Sequence, residues 1–462
     1  MDIHVVILAA GKGTRMKSAR PKVLHRVAGQ PLIEHVLGCA AAIQPRTTTV
    51  VVGHQADTLR RALAAHSGLT FVVQEPQLGT AHALMTTEAV LNGRTGILVL
   101  LSGDVPLLTP QTLQQLVDRH RTANASATVV TAVVDEPKGY GRIVRDGGHI
   151  ARIVEEKDAS ADERTIREIN SGIYAFSLDG LFDAVRSIAA ENAQKEYYLP
   201  DLVAIYRQRG SGVETVTVSN ADEIRGINSR NELAAVSRIV RDRKNADLMA
   251  SGVTIEDPAT TYVDATVTIG SDTILHPGVA LQGTTTVGSG CEIHYGARIV
   301  DSRIGDRSTV LDHCLISQSI VGDDVSVGPF AHLRNGAELG AKAKVGNFVE
   351  LKKTVLGPGS KASHLAYLGD AIIGEKVNIG AGTITCNYDG VNKNQTVIED
   401  GAFIGSDSQL IAPITIGKGA YVGSGSTIRQ DVPAGALAVS AGNQRTIEGW
   451  VAKRKKRGPS NN

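Results

Sequence analysis

Directly after an apolar run, His4 to Leu8, the chain reads LAAGKGTRM (Leu8 to Met16), and Pro21-Lys22 follows. Gly11 and Gly13 let backbone N–H groups approach a polyphosphate closely, and Arg15 and Lys22 set cations against its charge. The loop is neither a Walker A sequence nor a G-x-G-x-x-G fingerprint, because position 16 is Met16. Standing alone, a Gly-x-Gly after a strand also reads as a tight turn. A later apolar run ends in SGD, Ser102 to Asp104, then Val-Pro-Leu. Asp104 is thereby a carboxylate where a Mg²⁺ bridging phosphate oxygens would be needed, and it also reads as a turn residue before Pro106. Far down the chain His364 lies in KASHLAYLGD, Lys361 to Asp370. Imidazole is the side chain suited to proton transfer at neutral pH, although a lone His among 13 is ordinarily a surface or packed residue. Arg334 and Lys352 likewise read as solvated cations until something brings them together.

The elements that must position these groups follow from apolar periodicity. His4 to Leu8, Thr48 to Val52, Phe71 to Val73 and Ile97 to Leu101 read as buried parallel strands with helices between them. Thr109-Pro110 marks one helix start, a hydroxyl N-cap followed by Pro. This order implies an α/β doubly wound, Rossmann-like sheet, whose ligands gather at the carboxyl ends of the strands. LAAGKGTRM and SGD both stand there. Ser229 to Ala250 is rich in helix formers, with Leu233, Val236, Ile239 and Val240 near helical spacing, and predicts a connecting arm.

Beyond Gly252 the apolar period becomes six, through Val263, Ile269, Leu275, Leu281, Val287, Ile293 and Ile299. After a slip of one it runs through Val321, Val327, Leu333, Leu339, Val345 and Leu351, and again from Ile404 to Ile428. Such a repeat predicts an all-β parallel β-helix, three sixes to a triangular coil and roughly nine or ten coils. The aliphatic residue points inward, and the Gly that often follows it is expected to relax the backbone at the corner. The frame breaks around Ser360 to Tyr367 and at CNYDGVNKNQ, Cys386 to Gln395, where loops are expected to project. Handedness does not follow from the repeat, and the general crossover rule favours a right-handed winding. The expected domains are an α/β head over 1–228, a helical arm over 229–252 and a β-helix with a C-terminal tail over 253–462.

Composition bounds the partners. Lys and Arg number 48 against 47 Asp and Glu, so no global basic field gathers nucleic acid or an anionic membrane. Four cysteines without a C-x-x-C pair fit a reducing compartment and argue against zinc. With no leader-like or spanning segment in the sequence, a soluble cytoplasmic protein is expected.

The motifs LAAGKGTRM, Lys22, QLGTAHA (Gln77 to Ala83), SGDVPL, GYGRIV (Gly139 to Val144), IVEEKDA (Ile153 to Ala159) and INSGIY (Ile169 to Tyr174) occur in that order. Together they resemble the GlmU family of bifunctional N-acetylglucosamine-1-phosphate uridyltransferases / glucosamine-1-phosphate N-acetyltransferases, over almost the whole chain. The resemblance implies that the tail winds left-handed and acetylates glucosamine 1-phosphate from acetyl-CoA. The head would then join the product to UMP from UTP, with Mg²⁺, supplying UDP-N-acetylglucosamine for peptidoglycan and lipopolysaccharide. It assigns Leu8, Ala9, Ala10, Gly11, Gln74, Gly79 and Thr80 to the uridine side, with Ser102 and Gly103 beside them, and Arg15 and Lys22 to the triphosphate. Gly141, Glu155 and Asn170 take the acetylated sugar, and Asp104 with Asn228 the Mg²⁺. In the tail it makes His364 the general base. Arg334, Lys352, Tyr367 and Asn378 hold the sugar phosphate, and Ala381, Asn387, Tyr388, Ser406 and Ser424 the acetyl-CoA. Glu350 is a further partner for orienting base or amine. The family carries an Arg where this chain has Ala441, for which Arg445 or the basic run Lys453 to Arg457 would substitute, unless that run merely solubilises. A homotrimer with shared acetyltransferase sites is also implied, where the sequence alone supports only oligomerisation.

Three other readings compete. A different sugar-phosphate nucleotidyltransferase with a hexapeptide tail would usually open G-G-x-G-T-R-L-x-P. A hexapeptide metalloenzyme of the γ-carbonic anhydrase kind would draw zinc ligands from His276, His294, His313, His332 and His364. A silent scaffold would have no use for Lys22, Asp104, Asn228 and His364 together.

Overall fold

The computed structural model describes residues 1–440, 442 and 444–455; Ala441, and Lys456 and Arg457 of the basic run, lie outside them. The chain divides into two compact units, Met1–Arg241 and a second beginning at Asp242.

In the first unit, strands Ile97–Ser102, Ile3–Leu8, Thr47–Val52 and Leu69–Val73 are neighbours in that order and all parallel. Val5, Ile7, Val50 and Val52 enter one buried cluster, while Val6 and Val51 enter another on the opposite side. Both faces are covered, which is why these strands read as continuous apolar runs rather than alternating ones. The other half of the sheet is mixed: Glu168–Ser177 runs antiparallel to both its neighbours, Ile97–Ser102 and Ala127–Val133. The helix after Thr109 spans Pro110–Thr122, and the Thr109 hydroxyl accepts from Thr112 N–H at 3.3 Å. The arm is one helix, Arg230–Ala250. A reciprocal cap starts it: Ser229 N–H donates to Glu232 Oε2 at 2.8 Å, and Glu232 N–H to Ser229 Oγ at 3.2 Å. The two units meet in sequence within this helix, not at either end of it.

The second unit is a three-sided parallel β-helix whose faces are sheets of 11, 10 and 9 strands. Val263, Leu275, Leu281, Val287, Ile293 and Ile299 all point into one buried column-like core. Each such side chain withdrawn from water is worth about 1.5–3 kcal/mol, the main force holding so thin a structure together. The slip of one is a shortened coil: Leu281 pairs with Ile299, 18 positions on, whereas Ile299 pairs with Ile316, 17 on.

Two expectations are corrected. Glycines of the Ile/Val-Gly pairs do not, in general, relax corners, since Gly270, Gly288, Gly305 and Gly322 lack positive φ and only Gly328 has it. They are there because the next coil lies too close for a side chain: a Cβ on Gly305 would come 2.6 Å from the backbone carbon of Gly322. The corners are turned instead by residues such as Asp272, Arg307, Asp324 and Lys342, all with positive φ. The break at 360–367 is also no loop. Lys361–His364 and Tyr367–Gly369 are strands in register with the coil before, because a 17-residue coil displaces the hexapeptide frame without extruding anything. Only the second break projects, where Ile384 pairs with Gln409, 25 positions on, and an isolated bridge joins Tyr388 to Lys393.

Candidate active sites

At the carboxyl ends of the head's central strands, Leu8 and Ser102 are register partners, and Gly103 N–H donates to Leu8 carbonyl at 2.9 Å. This brings both phosphate-like motifs to one cleft of about 280 Å³. Leu8, Ala9, Ala10, Gly11, Lys22, Gln74, Gly79, Thr80, Ser102 and Asp104 line it, joined by Gln77 and Glu196. Two glycines are required by geometry. Gly13 has φ 60°, and a Cβ there would stand 2.8 Å from Lys22 Cβ, displacing the cation. Gly79 has φ 111°, with Tyr197 carbonyl 2.6 Å from its would-be Cβ, and its own carbonyl accepts from Gln74 Nε2 at 2.9 Å.

The floor of the cleft is charged. Lys22 Nζ is ion-paired with Asp104 and donates to Asn228 Oδ1 at 3.1 Å. Asn228 is held from behind, its N–H donating to Glu232 Oε2 at 2.6 Å, while Ile227 N–H donates to Asp104 carbonyl at 3.0 Å. Arg15 is exposed and does not line the cleft.

Gly141, Glu155 and Asn170 form a separate group beside these residues. Asn170 N–H donates to Gly141 carbonyl at 2.9 Å, and a Cβ on Gly141 would stand 3.3 Å from Glu155 Oε1. Tyr174 OH fixes Asn170 by donating to its Oδ1 at 2.9 Å. Burial, then the nearby Asp158 and Asp201 carboxylates, push the Glu155 carboxyl above its ordinary range.

On one face of the β-helix, Arg334 pairs in register with Lys352, and Lys352 with Gly369. Lys352 is no solvated cation: it is 6% exposed, and its Nζ donates to Asp370 Oδ2 at 3.2 Å. Asn387 Nδ2 donates to the same oxygen, and its amide also borders Gly369 together with the Tyr367 hydroxyl. Lys393, from the projecting loop, meets Lys352; the contact between the two side-chain nitrogens, then the Lys352 charge, holds the Lys393 ammonium below the usual lysine range. Arg334 Nε donates to Glu350 Oε1 at 2.7 Å.

His364 stands on an adjoining face, in register with Asn347, and its Nδ1 is 2.7 Å from Asn347 Oδ1. Glu350, expected to orient the base or the amine, is ion-paired with Arg334, and the contact to the His364 ring comes from Asn347. Ala381, Ser406 and Ser424 fall at one corner of successive coils, as Asp407 N–H donates to Ala381 carbonyl at 2.7 Å and Gly425 N–H to Ser406 carbonyl at 2.8 Å. Tyr388 is 59% exposed on the projecting loop. Asn378 is not brought to the cations within this chain: it pairs with Lys361 and Phe403, in the sheet of His364 rather than that of Arg334 and Lys352.

Known proteins agree with this division. The MobA-like NTP transferase domain matches residues 5–168, the GMPPB C-terminal domain 258–345 and the bacterial transferase hexapeptide (six repeats) 395–430. Bifunctional protein GlmU of Trichlorobacter lovleyi is 50% identical, covering 98% of this chain and 99% of its own. GlmU of Pelobacter propionicus is 48% identical over 99% of each chain, and that of Heliobacterium modesticaldum 49% over 98% of each. The chain belongs to the GlmU family. As a GlmU it is a bifunctional transferase, with a nucleotidyltransferase head that carries out uridylyl transfer and a left-handed β-helical tail that carries out acetyl transfer. That settles the choice against a different sugar-phosphate nucleotidyltransferase with a hexapeptide tail, a carbonic-anhydrase-like enzyme or a silent scaffold. The motifs assigned no role to Gln77, Glu196, Asn347, Asp370 or Lys393. Gln77 opens the QLGTAHA motif, Asp370 closes the stretch that holds His364, and Lys393 is a cation on a loop inserted into a stiff repeat, so these three carried a readable signal; Glu196 and Asn347 became legible only once distant segments were side by side.

Proposed function

We propose that the head cleft binds UTP and N-acetylglucosamine 1-phosphate with Mg²⁺, and that the His364 region binds glucosamine 1-phosphate and acetyl-CoA. The observation that carries the reading is the convergence of Lys22, Asp104 and Asn228 at the mouth of two parallel strands. Asp104 and Asn228 offer oxygen donors, the hard ligands Mg²⁺ takes, and the Lys22 ammonium between them stands in for a cation there. When bound, Mg²⁺ supplies charge neutralisation on the phosphate oxygens. In the head a phosphate oxygen of the sugar attacks the α-phosphorus of UTP, the α–β anhydride bond breaks and pyrophosphate leaves. Gly11 N–H and Lys22 hold the chain of phosphates, with the exposed Arg15 reaching to them, and Gly141, Glu155 and Asn170 hold the sugar.

In the tail, Asn347 accepts the Nδ1 proton of His364, which leaves the Nε2 lone pair free. The amine of glucosamine 1-phosphate attacks the thioester carbonyl and its proton passes to Nε2; the C–S bond then breaks and Nε2 hands that proton to the leaving sulfur, so CoA departs as the thiol. Arg334, Lys352 and Lys393 neutralise the sugar phosphate, Tyr367 and Asn387 border the sugar, and Ala381, Tyr388, Ser406 and Ser424 line the acetyl-CoA path.

The functional protein is a homotrimer. Support comes from an exposed ring ladder along one corner, Tyr295 edge-on to His313 and His313, Phe330 and Phe348 stacked, with neighbouring centroids 5.3–5.4 Å apart, and from Asn378, which the sugar-phosphate assignment groups with Arg334 and Lys352 but which lies on another face of its own chain. Four unpaired cysteines support a cytoplasmic location; among the described residues no helix is long and apolar enough to cross a membrane. The decisive experiment supplies glucosamine 1-phosphate, acetyl-CoA, UTP and Mg²⁺ together. UDP-N-acetylglucosamine, CoA and pyrophosphate in equal amounts are expected, and failure to form the sugar nucleotide would overturn the reading.

A further inference from the structure

The first coils of the β-helix hold a second set of polar side chains, at least four rungs along the same sheet from His364. His276 and His294 occupy equivalent positions of consecutive coils, His276 N–H donating to Ile293 carbonyl at 2.9 Å. Their rings stack with centroids 4.5 Å apart and planes 21° from parallel. Glu292 reaches both: its Oε1 lies 3.0 Å from His276 Nε2 and 3.4 Å from His294 Nε2. On the far side of His276, Nδ1 is 3.0 Å from Glu256 Oε2. The two imidazoles and Glu292 each offer one atom, all within 4.8 Å of one another.

We infer that His276, His294 and Glu292 form a binding site for a transition-metal dication of the Zn²⁺ class, with Glu256 as the outer carboxylate that orients His276. Tetrahedral Zn²⁺ takes N and O ligands at about 2.0–2.1 Å, which sets neighbouring ligand atoms about 3.3 Å apart. The 3.0 and 3.4 Å separations bracket that edge. Glu256 accepts the Nδ1 proton and leaves the Nε2 lone pair turned toward Glu292, the usual carboxylate–histidine–metal arrangement. Two imidazoles with one carboxylate select Zn²⁺ and its neighbours in the first transition row over Mg²⁺ or Ca²⁺, so this site does not compete with the oxygen donors of the head. Three ligands leave a position for solvent. The side chains come from three consecutive rungs, Thr254–Ile255, Ile274–Leu275 and Glu292–Ile293, or from the residue just after them. The ion therefore clips together the end of a solenoid in which each coil is held only by its neighbours.

The test titrates full-length, chelator-stripped protein with Zn²⁺ by calorimetry, in buffer containing Mg²⁺, and with Co²⁺ by visible absorption. One equivalent is expected that Mg²⁺ does not displace, that shows the intense bands of low-coordinate Co²⁺, and that is absent from a His276→Asn/His294→Asn protein. That variant should keep both transferase activities, and His364→Asn should keep the zinc equivalent. Glu256→Gln should retain the site with affinity weakened roughly 10–100-fold. If the double variant does not fold, Glu292→Gln replaces it, since it keeps both rings and loses the carboxylate ligand. Zinc uptake identical in the wild type and in the ligand variants, or no uptake by the wild type, would overturn the site; unchanged affinity in Glu256→Gln would overturn the role of Glu256.

Discussion

Lys22 and Asp104 form an ion pair across 82 positions of the chain, and both side chains are only 16% exposed. Asn228 completes the group at 3.1 Å from the ammonium. Asp104→Asn keeps the shape and removes the charge. Uridylyl transfer should fall roughly 10²–10³-fold, the usual effect of deleting one preorganised electrostatic partner, while acetyl transfer stays near normal. Pyrophosphate and CoA release, assayed separately on the same preparation, check this; parallel loss of both would contradict independent sites.

His364 and Asn347 should separate chemistry from positioning. Deleting the base in His364→Ala is expected to cost roughly 10²–10⁴-fold in acetyl transfer. Asn347→Ala removes one hydrogen bond of about 1 kcal/mol, so a loss of only roughly 5–10-fold is expected, in kcat more than in KM. Asn347→Asp restores an acceptor and should shift the acid limb of the pH–rate profile. A profile identical in all three proteins would remove Asn347 from the mechanism.

Coil stacking makes a contrast between two glycines. A Cβ on Gly357 would stand 2.3 Å from Gly374 carbonyl oxygen, while one on Gly38, in the helix Leu32–Ala41, meets nothing within 4 Å. Gly357→Ala should destabilise by about 1–3 kcal/mol and Gly38→Ala should stabilise by about 0.5–1 kcal/mol. Urea denaturation of the two variants measures both signs.

His120 is buried between Thr128 and Ser177, and burial pushes its pKa down to about 4. The unfolded chain, with a His pKa near 6.5, takes up a proton first as pH falls. Stability is therefore full above pH 6.5 and declines toward pH 4, by about 2–3 kcal/mol from this residue. His120→Asn should flatten that part of the pH–stability curve, and a slope equal to wild type would discount the ring.

Glu155 has the opposite sense. Its carboxyl is raised by burial, then by Asp158 and Asp201, so its ionisation opposes folding above the ordinary Glu range and vanishes as a cost below it. Glu155→Gln should raise the unfolding temperature at pH 8 and have a smaller effect at pH 4.5, while weakening uridylyl transfer through loss of a sugar contact. Greater stabilisation at the lower pH would reverse the assignment.

Much of this was legible in the residues themselves. The apolar runs of the head and the six-residue period of the tail are one-dimensional signals of two- and three-sided burial, and they survive in the structure as parallel strands and a triangular core. Loop chemistry was equally readable where it follows a strand, as with Gly13 before Lys22 and Ser102 to Asp104, because the chain there is local. Tertiary structure decided everything that depends on who stands beside whom. It paired Asn228 with Lys22 across 206 positions, gave His364 to Asn347 instead of Glu350, and buried Lys352 against Asp370. It also showed that the repeat glycines answer to the coil above them, not to their own φ. A period records which residues face inward; the contacts between coils depend on coil length, 17 or 18 residues, and a single residue's difference moves each side chain to a new neighbour.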